Sequence, residues 1–459
     1  MASTSSLASS SAGTLDVPAL VSQLMSLERR PLEKLTAKVA SYETKISSFG
    51  TLKGLVSGFQ TAAQGLSTSL QGFSATPSDT SVFSASASST AAAGVYSLDV
   101  TTLAQAHKLA AAGQLSDTAA IATVDSTVIF TVGTTSTNIA ITAGATLQDI
   151  RSAINAANIG VTATIINDGS GTPYRLALSA DNSGLSNAVT SITIQTGGDA
   201  AVNDLLAYNP TENVPTPVVP MAQTVAAADA DFKVNGIRIL RSSNAITDVI
   251  AGVSLTLSKQ NASATLTVKR DVSAVSTAAA GFVDAFNALN SQLKSRSAYG
   301  KAGTAAPVLS GDGTVRLMLD QLRGIFMTAA SGGTLTSLAQ VGIAFQADGT
   351  LKLDSSKLNT AMTNDFSDVV NLFSSATGYV TRLDAWSTSV VQAGGLIDAR
   401  TDSLNTSVED YNDQIEKLEN RMVFLQKQYT TTYSNLNALL SSMNSTGAYL
   451  TQQFSSKSS

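Results

Sequence analysis

The stretch from 404 to 443, LNTSVEDYNDQIEKLENRMVFLQKQYTTTYSNLNALLSSM, places apolar or small residues at alternating steps of three and four. That spacing is typical of the a and d positions of a coiled coil, and it lasts for more than five heptads. The stretch contains no proline, and its charged residues occupy outward positions. A helix of about 50 residues is about 75 Å long. Because it is too long to bury its stripe against one compact domain, we expect part of the stripe to contact other molecules.

The N-terminal part of the chain carries a second amphipathic pattern. Asp16 is a candidate N-cap residue, and the apolar stripe that follows it consists of Leu20, Leu24 and Leu27. The phase of this stripe slips before Pro31, and a proline inside a helix would cost roughly 3 kcal/mol. We therefore predict that one helix ends there and that a second helix begins at Pro31.

A longer three-and-four spacing runs from 32 to 73, and we interpret its stripe as the core of a helical bundle. The outermost segments, 16–30 and 425–455, are predicted to act between molecules. Because isolated amphipathic helices are marginal in water, residues 1–30 and about 430–459 are expected to be mobile in the free monomer. The predicted intermolecular contact residues are Leu20, Leu24, Leu27, Leu418, Met422, Leu425, Leu436, Leu440 and Met443.

Between 74 and 270 the helical spacing gives way to short β-branched runs bounded by Gly, Asn and Asp, which predict β-strands. Within this region, 147–158 is predicted to form one short helix. Asn235-Gly236 separates two strand-like runs and is typical of a β-hairpin turn. The segment 208–220 has four prolines and predicts an extended connector between modules.

These patterns predict an α+β multidomain protein. Its long terminal helices form a coiled-coil or helical-bundle stalk, and β-rich domains are inserted in the middle of the chain. Residues 1–14, rich in Ser, Ala and Thr, are expected to be a disordered leader. Four domains are predicted. The terminal coiled-coil leg at 1–45 and 405–459 is partly disordered in the monomer, and a helical bundle follows at 46–75 and 271–404. A β-rich outer domain lies at 76–116 and 221–270, and a smaller β-rich domain is inserted at 117–220.

Composition limits the kinds of partner. The 459 residues include 28 Lys and Arg against 33 Asp and Glu, so the chain offers no electrostatic reason to bind nucleic acid or an anionic membrane. The absence of cysteine excludes disulfides and thiolate metal sites. The N-terminus lacks the basic region of a secretory signal, and no run of 18 apolar residues is present. We expect no nucleic-acid partner and no membrane insertion.

Candidates for catalysis and metal binding are weak. The single histidine, His107, has no neighbouring carboxylate cluster and is expected at the surface or at a strand end. Asp312-Gly313 and Asp348-Gly349 lack the alternating carboxylates of a calcium loop and are interpreted as turns. We therefore predict no enzyme, no catalytic or metal site and no cofactor.

Four groups of residues, in order along the chain, carry a family resemblance. They are 13-GTLDVPALVSQLMSLERRPL-32, the segment 139–178, the segment 235–253, and the segment 342–373 with the terminal helix that follows it. Segment 139–178 resembles the small β-module of hook-associated proteins and flagellins. Together the four groups resemble the bacterial flagellar filament cap family, also called hook-associated protein 2. The first dozen residues depart from that family because they lack its Gly-Ser-Gly pattern.

The resemblance implies an oligomeric cap at the distal end of the flagellar filament, outside the cell. Such a cap promotes flagellin polymerisation and prevents loss of flagellin monomers, with terminal helices as legs and outer domains as a plate. The implied partners are further copies of the chain, four to six in all, flagellin, a flagellar export chaperone and the type III export apparatus. A secondary role in adhesion is also compatible with the resemblance.

Two alternatives stay open from the sequence. One is a hook-filament junction protein, but the segment 342–373 resembles the cap family more closely. The other is an adhesin that binds glycan or mucin, which would need aromatic binding patches. Aromatic residues make up only 5% of the chain, and the single tryptophan, Trp386, lies in a helical part.

Overall fold

The computed structural model describes residues 15–210, 220–300 and 305–457. The predicted disorder of residues 1–14 lies outside these residues. The chain divides into two compact units. The terminal unit contains the residues up to Leu70 and those from Val272 onward, and the middle unit is Gln71–Asp271. Both ends of the chain therefore belong to one unit, and the β-rich region is an insertion between them.

The described residues form ten α-helices and 17 β-strands. The helices are α1 (Val17–Glu28), α2 (Arg30–Ser69), α3 (Leu147–Ala156), α4 (Ala200–Leu206), α5 (Val272–Ser297), α6 (Gly313–Met327), α7 (Ser355–Asn364), α8 (Phe366–Ser374), α9 (Tyr379–Val391) and α10 (Leu396–Lys457). The strands are β1 (Phe73–Pro77), β2 (Phe83–Ala87), β3 (Gly94–Thr102), β4 (Lys108–Ala111), β5 (Ser126–Val132), β6 (Thr135–Ile141), β7 (Val161–Asn167), β8 (Tyr174–Ala180), β9 (Val189–Ile194), β10 (Met221–Val225), β11 (Ala230–Val234), β12 (Ile237–Arg241), β13 (Ala245–Ile250), β14 (Val253–Leu257), β15 (Ala262–Arg270), β16 (Ile343–Phe345) and β17 (Leu351–Leu353). The predicted fold class is confirmed. The predicted mobility of the ends in the free monomer stays a prediction.

The start of α1 follows the predicted chemistry. The Asp16 carboxylate accepts a hydrogen bond from the Ala19 backbone N–H at 3.0 Å, and Pro18 occupies the first turn. The helix ends at Glu28, and α2 begins at Arg30 with Pro31 in its first turn, as the slip in the sequence pattern predicts. The junction keeps a helical backbone at Arg29, so the two helices continue almost without a loop.

The core of the terminal unit lies between α2, α5, α6 and α9. Phe59 of α2 is fully buried, with its ring centroid 5.3 Å from that of Phe282 and 6.0 Å from that of Phe286. Phe326 of α6 packs edge-on against Phe286 at 4.9 Å. In length and hydropathy α5 meets the requirements of a membrane span. Its Phe282, Phe286 and Leu289 point into this core, so we assign it as a core helix.

Two turns that resemble calcium loops have structural roles. Asp312 caps α6 by accepting from the Thr314 N–H at 2.9 Å, and its second oxygen accepts from Arg400 of α10. Asp348 accepts from the Thr350 N–H at 2.9 Å within the β16–β17 hairpin. Asn287 of α5 fixes that hairpin, because its amide both donates to and accepts from the backbone of Leu351. These contacts account for both acidic turns without a bound ion.

The middle unit has two hydrophobic cores. Sheets β1-β15-β3-β11-β12 and β13-β14-β2 enclose the first, around residues such as Phe83 and Phe232. Sheets β10-β4-β8-β7 and β6-β5-β9, together with α3 and α4, enclose the second, around Phe130 and Ile150. Strands β4 and β10 belong to the second core although they lie just outside 117–220. The predicted bounds of the inserted domain, 117–220, therefore stay a prediction.

A buried carboxylate organises the start of α4. Asp199 is only 2% exposed and accepts hydrogen bonds from the backbone and hydroxyl of Thr123, from the Val124 N–H at 2.9 Å and from the Ala201 N–H at 2.7 Å. The hydrogen bond from the Thr123 hydroxyl, followed by that from the Val124 N–H, holds the Asp199 pKa well below its usual range. The ionised form is therefore part of the fold.

Replacing Asp199 by Asn is expected to destabilise the middle unit, because an amide oxygen cannot accept all these bonds and its NH2 group faces donors. We expect the melting temperature at pH 7 to fall by about 5 °C. The folded-state pKa is lowered, so the stabilisation is fully present above the unfolded value of about 4 and is lost progressively as the pH falls from there through the lowered pKa of the folded state. Melting curves at pH 7 and about pH 3 should show the difference between variant and wild type shrink. Asp204→Asn, at an exposed position of the same helix, is the control. An equal effect of both substitutions would contradict this account.

Candidate functional site

Helix α1 and the start of α2 pack along α10. We call residues 15–45 and 405–457 the leg. The Tyr42 ring lies 5.6 Å from the Tyr411 ring, and the Leu15 N–H donates to Asn437 Oδ1 at 2.9 Å. The residue numbers rise on one side as they fall on the other, so α1 and α2 run antiparallel to α10. Sequence positions about 400 residues apart thus form one surface.

The seam between α1 and α10 is small and apolar. Val17, Val21 and Met25 of α1 are buried in one cluster with Met422 of α10. Leu425, Tyr429 and Tyr433 pack against this cluster, together with Leu15. Of the predicted contact residues, Met422 and Leu425 therefore lie in the seam within the leg. Met422 is 7% exposed, which leaves it little surface for another molecule.

The leucines of α1 lie beside this seam rather than in it. Leu20 and Leu24 are half-buried, and Leu27 is 55% exposed. An α-helix turns 100° per residue, so Leu20, Leu24 and Leu27 form a row about a quarter turn away from the row of Val17, Val21 and Met25. Both rows have helical spacing in the sequence, with steps of four and four for Val17, Val21 and Met25 and steps of four and three for the leucines. The buried row could not be predicted, because periodicity does not tell which of two adjacent apolar rows faces the partner helix.

The last part of α10 exposes a further row of apolar residues. Leu440 is half-buried, whereas Leu436 is 40% and Met443 62% exposed. Leu418, in the first half of α10, is also half-buried. Because Leu15 lies opposite Asn437, α1 reaches no further than this point. The 20 residues of α10 that follow extend about 30 Å beyond it. Other large apolar side chains exposed on this part are Leu439, Tyr449, Leu450 and Phe454.

The exposed row lies in a stretch without charge. No Asp, Glu, Lys or Arg occurs from 428 to 456, and none occurs in α1 before Glu28. Ser, Thr, Asn and Gln occupy most of the other positions. A molecule that bound at this surface would gain free energy from burial of apolar area and from shape, because ion pairs are not available there.

The described residues offer little for catalysis or metal binding. No group of three or more His, Asp or Glu side chains in 15–210, 220–300 and 305–457 is placed to hold a metal ion. His107 was expected at the surface or at a strand end. It lies directly before β4, so the strand-end alternative is correct. The surface alternative is wrong, since His107 is only 4% exposed. Its Nδ1 accepts from the Val189 N–H at 3.2 Å, and Nε2 lies 3.3 Å from Gln223 Oε1, so it is a packed structural residue.

Comparison with protein families gives three matches. Models described as flagellar hook-associated protein 2 N-terminus and C-terminus match residues 13–107 and 227–445. The model of the flagellin hook IN motif matches residues 127–182, within the second core of the middle unit. Along the chain, the match to the N-terminus model comes first, the match to the hook IN motif second and the match to the C-terminus model third.

Comparison with individual proteins gives relatives over the full length. The chain is 34% identical to flagellar hook-associated protein 2 of Escherichia coli K12, over 100% of this chain and 99% of that protein. It is 30% identical to the B-type flagellar hook-associated protein 2 of Pseudomonas aeruginosa PAO1, over 94% of each. The crystal structure of the D1, D2 and D3 domains of the flagellar cap protein from Escherichia coli is similar, with a TM-score of 0.67 and 34% identity. The similarity covers 78% of this chain and 99% of that one.

Proposed function

Because the chain belongs to the family of flagellar hook-associated protein 2, we propose that it caps the flagellar filament by means of the apolar outer faces of its leg. It is a structural protein of the bacterial flagellum, exported to the filament tip outside the cell. There it works as an oligomer and interacts with flagellin. The names of its relatives favour capping over the alternatives of a junction protein or a glycan-binding adhesin.

The exposed row on α10 is the observation that carries this proposal. Leu436, Met443 and Leu450 are 40%, 62% and 49% exposed on a helix that extends past the described part of α1. Full burial of one such side chain contributes about 1.5–3 kcal/mol. A protein that works alone gains nothing from a 30 Å apolar helix face in water. A protein that attaches to a polymer gains binding free energy from every residue in the row.

The two apolar rows lie at different places on the leg and both supply contacts in this proposal. Leu20, Leu24 and Leu27 flank the seam, and Leu436, Leu440 and Met443 continue beyond it; both rows bind neighbouring copies or flagellin. Leu418 is half-buried at the start of the leg and belongs to the same surface, whereas Met422 and Leu425 support it from inside.

Further partners belong to the same proposal. A row of apolar side chains exposed before assembly favours self-association at the wrong time and place. Cover by a flagellar export chaperone and delivery to the type III export apparatus would prevent this premature self-association.

We propose an oligomer of four to six subunits. We further propose that the protein has no enzymatic activity, which the lack of a convergent polar constellation among the described residues supports.

The location of the protein in a flagellum tests the function. In cells that lack their own cap protein, we expect this chain with a small C-terminal label to restore filaments and to place the label at the distal end. Electron microscopy with an antibody against the label measures this directly. A label at the junction between hook and filament would contradict capping and support the junction-protein alternative.

A further inference from the structure

Strand β12 is the free edge of a five-stranded sheet. In the order β1-β15-β3-β11-β12 it has a neighbour, β11, on one side only. Its residues are Ile-Arg-Ile-Leu-Arg, without Pro or Gly, and Ile237 and Leu240 are 70% and 48% exposed. An exposed edge of this composition is a template for pairing with another strand.

Two other strand edges in this chain, those of β7 and β17, are closed by asparagine side chains. The Asn155 amide donates to the Ala163 carbonyl at 2.9 Å and accepts from its N–H at 2.7 Å, which occupies the outer edge of β7. Asn287 binds the backbone of Leu351 in β17 in the same way. None of the hydrogen bonds recorded for the described residues closes β12 in this manner. Unlike the edges of β7 and β17, the edge of β12 is therefore accessible to a partner strand.

The turn before β12 fixes which backbone groups point outward. Asn235 and Gly236 both have positive φ, at 50° and 81°, which is a type I′ hairpin turn. In such a two-residue hairpin the closing pair, Val234 and Ile237, is hydrogen bonded, and hydrogen-bonded pairs alternate along the ladder. The N–H and C=O groups of Arg238 and Leu240 therefore face away from β11. The Leu240 carbonyl indeed accepts from the Arg241 side chain at 2.8 Å instead of from a strand.

The charges on β12 are paired within the molecule. Arg238 binds Asp231 of β11 through two nitrogens, with a shortest distance of 2.8 Å. Arg241 binds Asp248 of β13 in the same manner, at 2.9 Å. Both guanidinium groups are thus neutralised by carboxylates of their own molecule. At the edge, the peptide groups of Arg238 and the Leu240 N–H point outward, and pairing with another strand requires the Arg241 side chain to leave the Leu240 carbonyl.

We propose that β12 pairs with β12 of a second copy of this chain, antiparallel and centred on Ile239. In this register Arg238 of one copy lies opposite Leu240 of the other, and both residues present their outward peptide groups, so each such pair exchanges two hydrogen bonds. Each arginine lies opposite an aliphatic residue, Arg238 opposite Leu240 and Arg241 opposite Ile237, so no two arginines meet. A strand that fits its own copy in both hydrogen bonding and charge forms an isologous contact. Because an isologous contact closes at two copies, it is distinct from the contacts that build the proposed oligomer of four to six subunits, and it does not depend on the proposed attachment of the leg to the filament.

A cysteine cross-link tests the register, and the natural chain has no cysteine to interfere. Ile239 faces Ile239 of the second copy as a pair without hydrogen bonds, with Cα atoms about 4.5 Å apart, within the range of a disulfide. Full-length Ile239→Cys should therefore form a disulfide dimer under mild oxidation. Ile237→Cys is the matched control, because the two copies of residue 237 would be about 13 Å apart. Equal cross-linking of both variants, or none with Ile239→Cys, overturns the proposal.

A proline at the edge tests the hydrogen bonds. Leu240→Pro removes an outward N–H without affecting the ladder to β11, whereas Leu240→Thr keeps that N–H. In the Ile239→Cys protein, we expect the proline to lower the dimer yield by about tenfold, because half of the pairing bonds are lost. The threonine variant should keep the yield. Circular dichroism must show the fold of both variants unchanged. If proline and threonine have the same effect in folded protein, β12 pairing is excluded.

Discussion

Substitution of both Leu436 and Leu440 by Asp is expected to abolish filament capping while the protein still folds and is exported. The two residues are one turn apart on α10, and Leu436 is 40% exposed. Loss of two buried leucines at an interface costs about 3–6 kcal/mol, to which desolvation of two carboxylates adds. Binding would weaken by at least two orders of magnitude. In cells without their own cap protein, flagellin should appear in the medium as monomer, and swimming should be lost.

A matched double variant separates the apolar row from a general effect of charge. Ser441 and Ser445 have the same spacing, are exposed, and lie on the opposite side of α10. Ser441→Asp with Ser445→Asp adds the same two carboxylates and should support normal filaments. Normal filaments from the Leu436 and Leu440 variant would instead show that this row is not the attachment surface. The contacts would then lie on the leucine row of α1 or on the middle unit.

Substitution of Phe59 by Ala is expected to be the most destabilising single change in the terminal unit. Phe59 is fully buried between α2 and α5, where it contacts the rings of Phe282 and Phe286. Removal of a buried phenylalanine costs about 3–5 kcal/mol, which lowers the melting temperature of a domain of this size by about 10 °C. Differential scanning calorimetry should show this shift for the terminal unit and leave the transition of the middle unit in place.

The control for this change is Phe424→Ala on α10. Phe424 is 67% exposed, so its removal leaves no cavity and should change the free energy of unfolding by less than about 0.5 kcal/mol. Equal losses of stability from the two substitutions would show that the terminal unit does not have the core described here.

Much of the fold can be predicted from local sequence chemistry. The three-and-four spacing identifies α10, Pro31 marks the start of α2, and Asn235-Gly236 forms the hairpin turn with positive φ at both residues. The segment 147–158 forms α3 almost as predicted, with a capping box at Thr146. In each case the determining residues are close together in the sequence, so their physical preferences act without the rest of the chain.

Features that depend on distant residues could not be predicted. Asn287 closes the edge of β17, but Leu351 is 64 residues away and nothing in either segment identifies the other. The burial of His107 depends on Val189 and Gln223, which the fold brings to it. On α1, the choice between the leucine row and the row of Val17, Val21 and Met25 depends on how α10 approaches. Periodicity alone determines a helix face only to within about one residue.

Site-specific cross-linking in assembled flagella tests the central claim, that the apolar row of α10 attaches the protein to its neighbours. A single cysteine is introduced at Met443, which is 62% exposed in the row, or at Ser445, which is exposed on the opposite side of the same helix. Each cysteine is labelled with a thiol-reactive photo-cross-linker. The account predicts strong cross-links from position 443 to flagellin or to a second copy of this chain, and few from position 445. Equal cross-linking from both positions, or cross-linking from 445 alone, would contradict it.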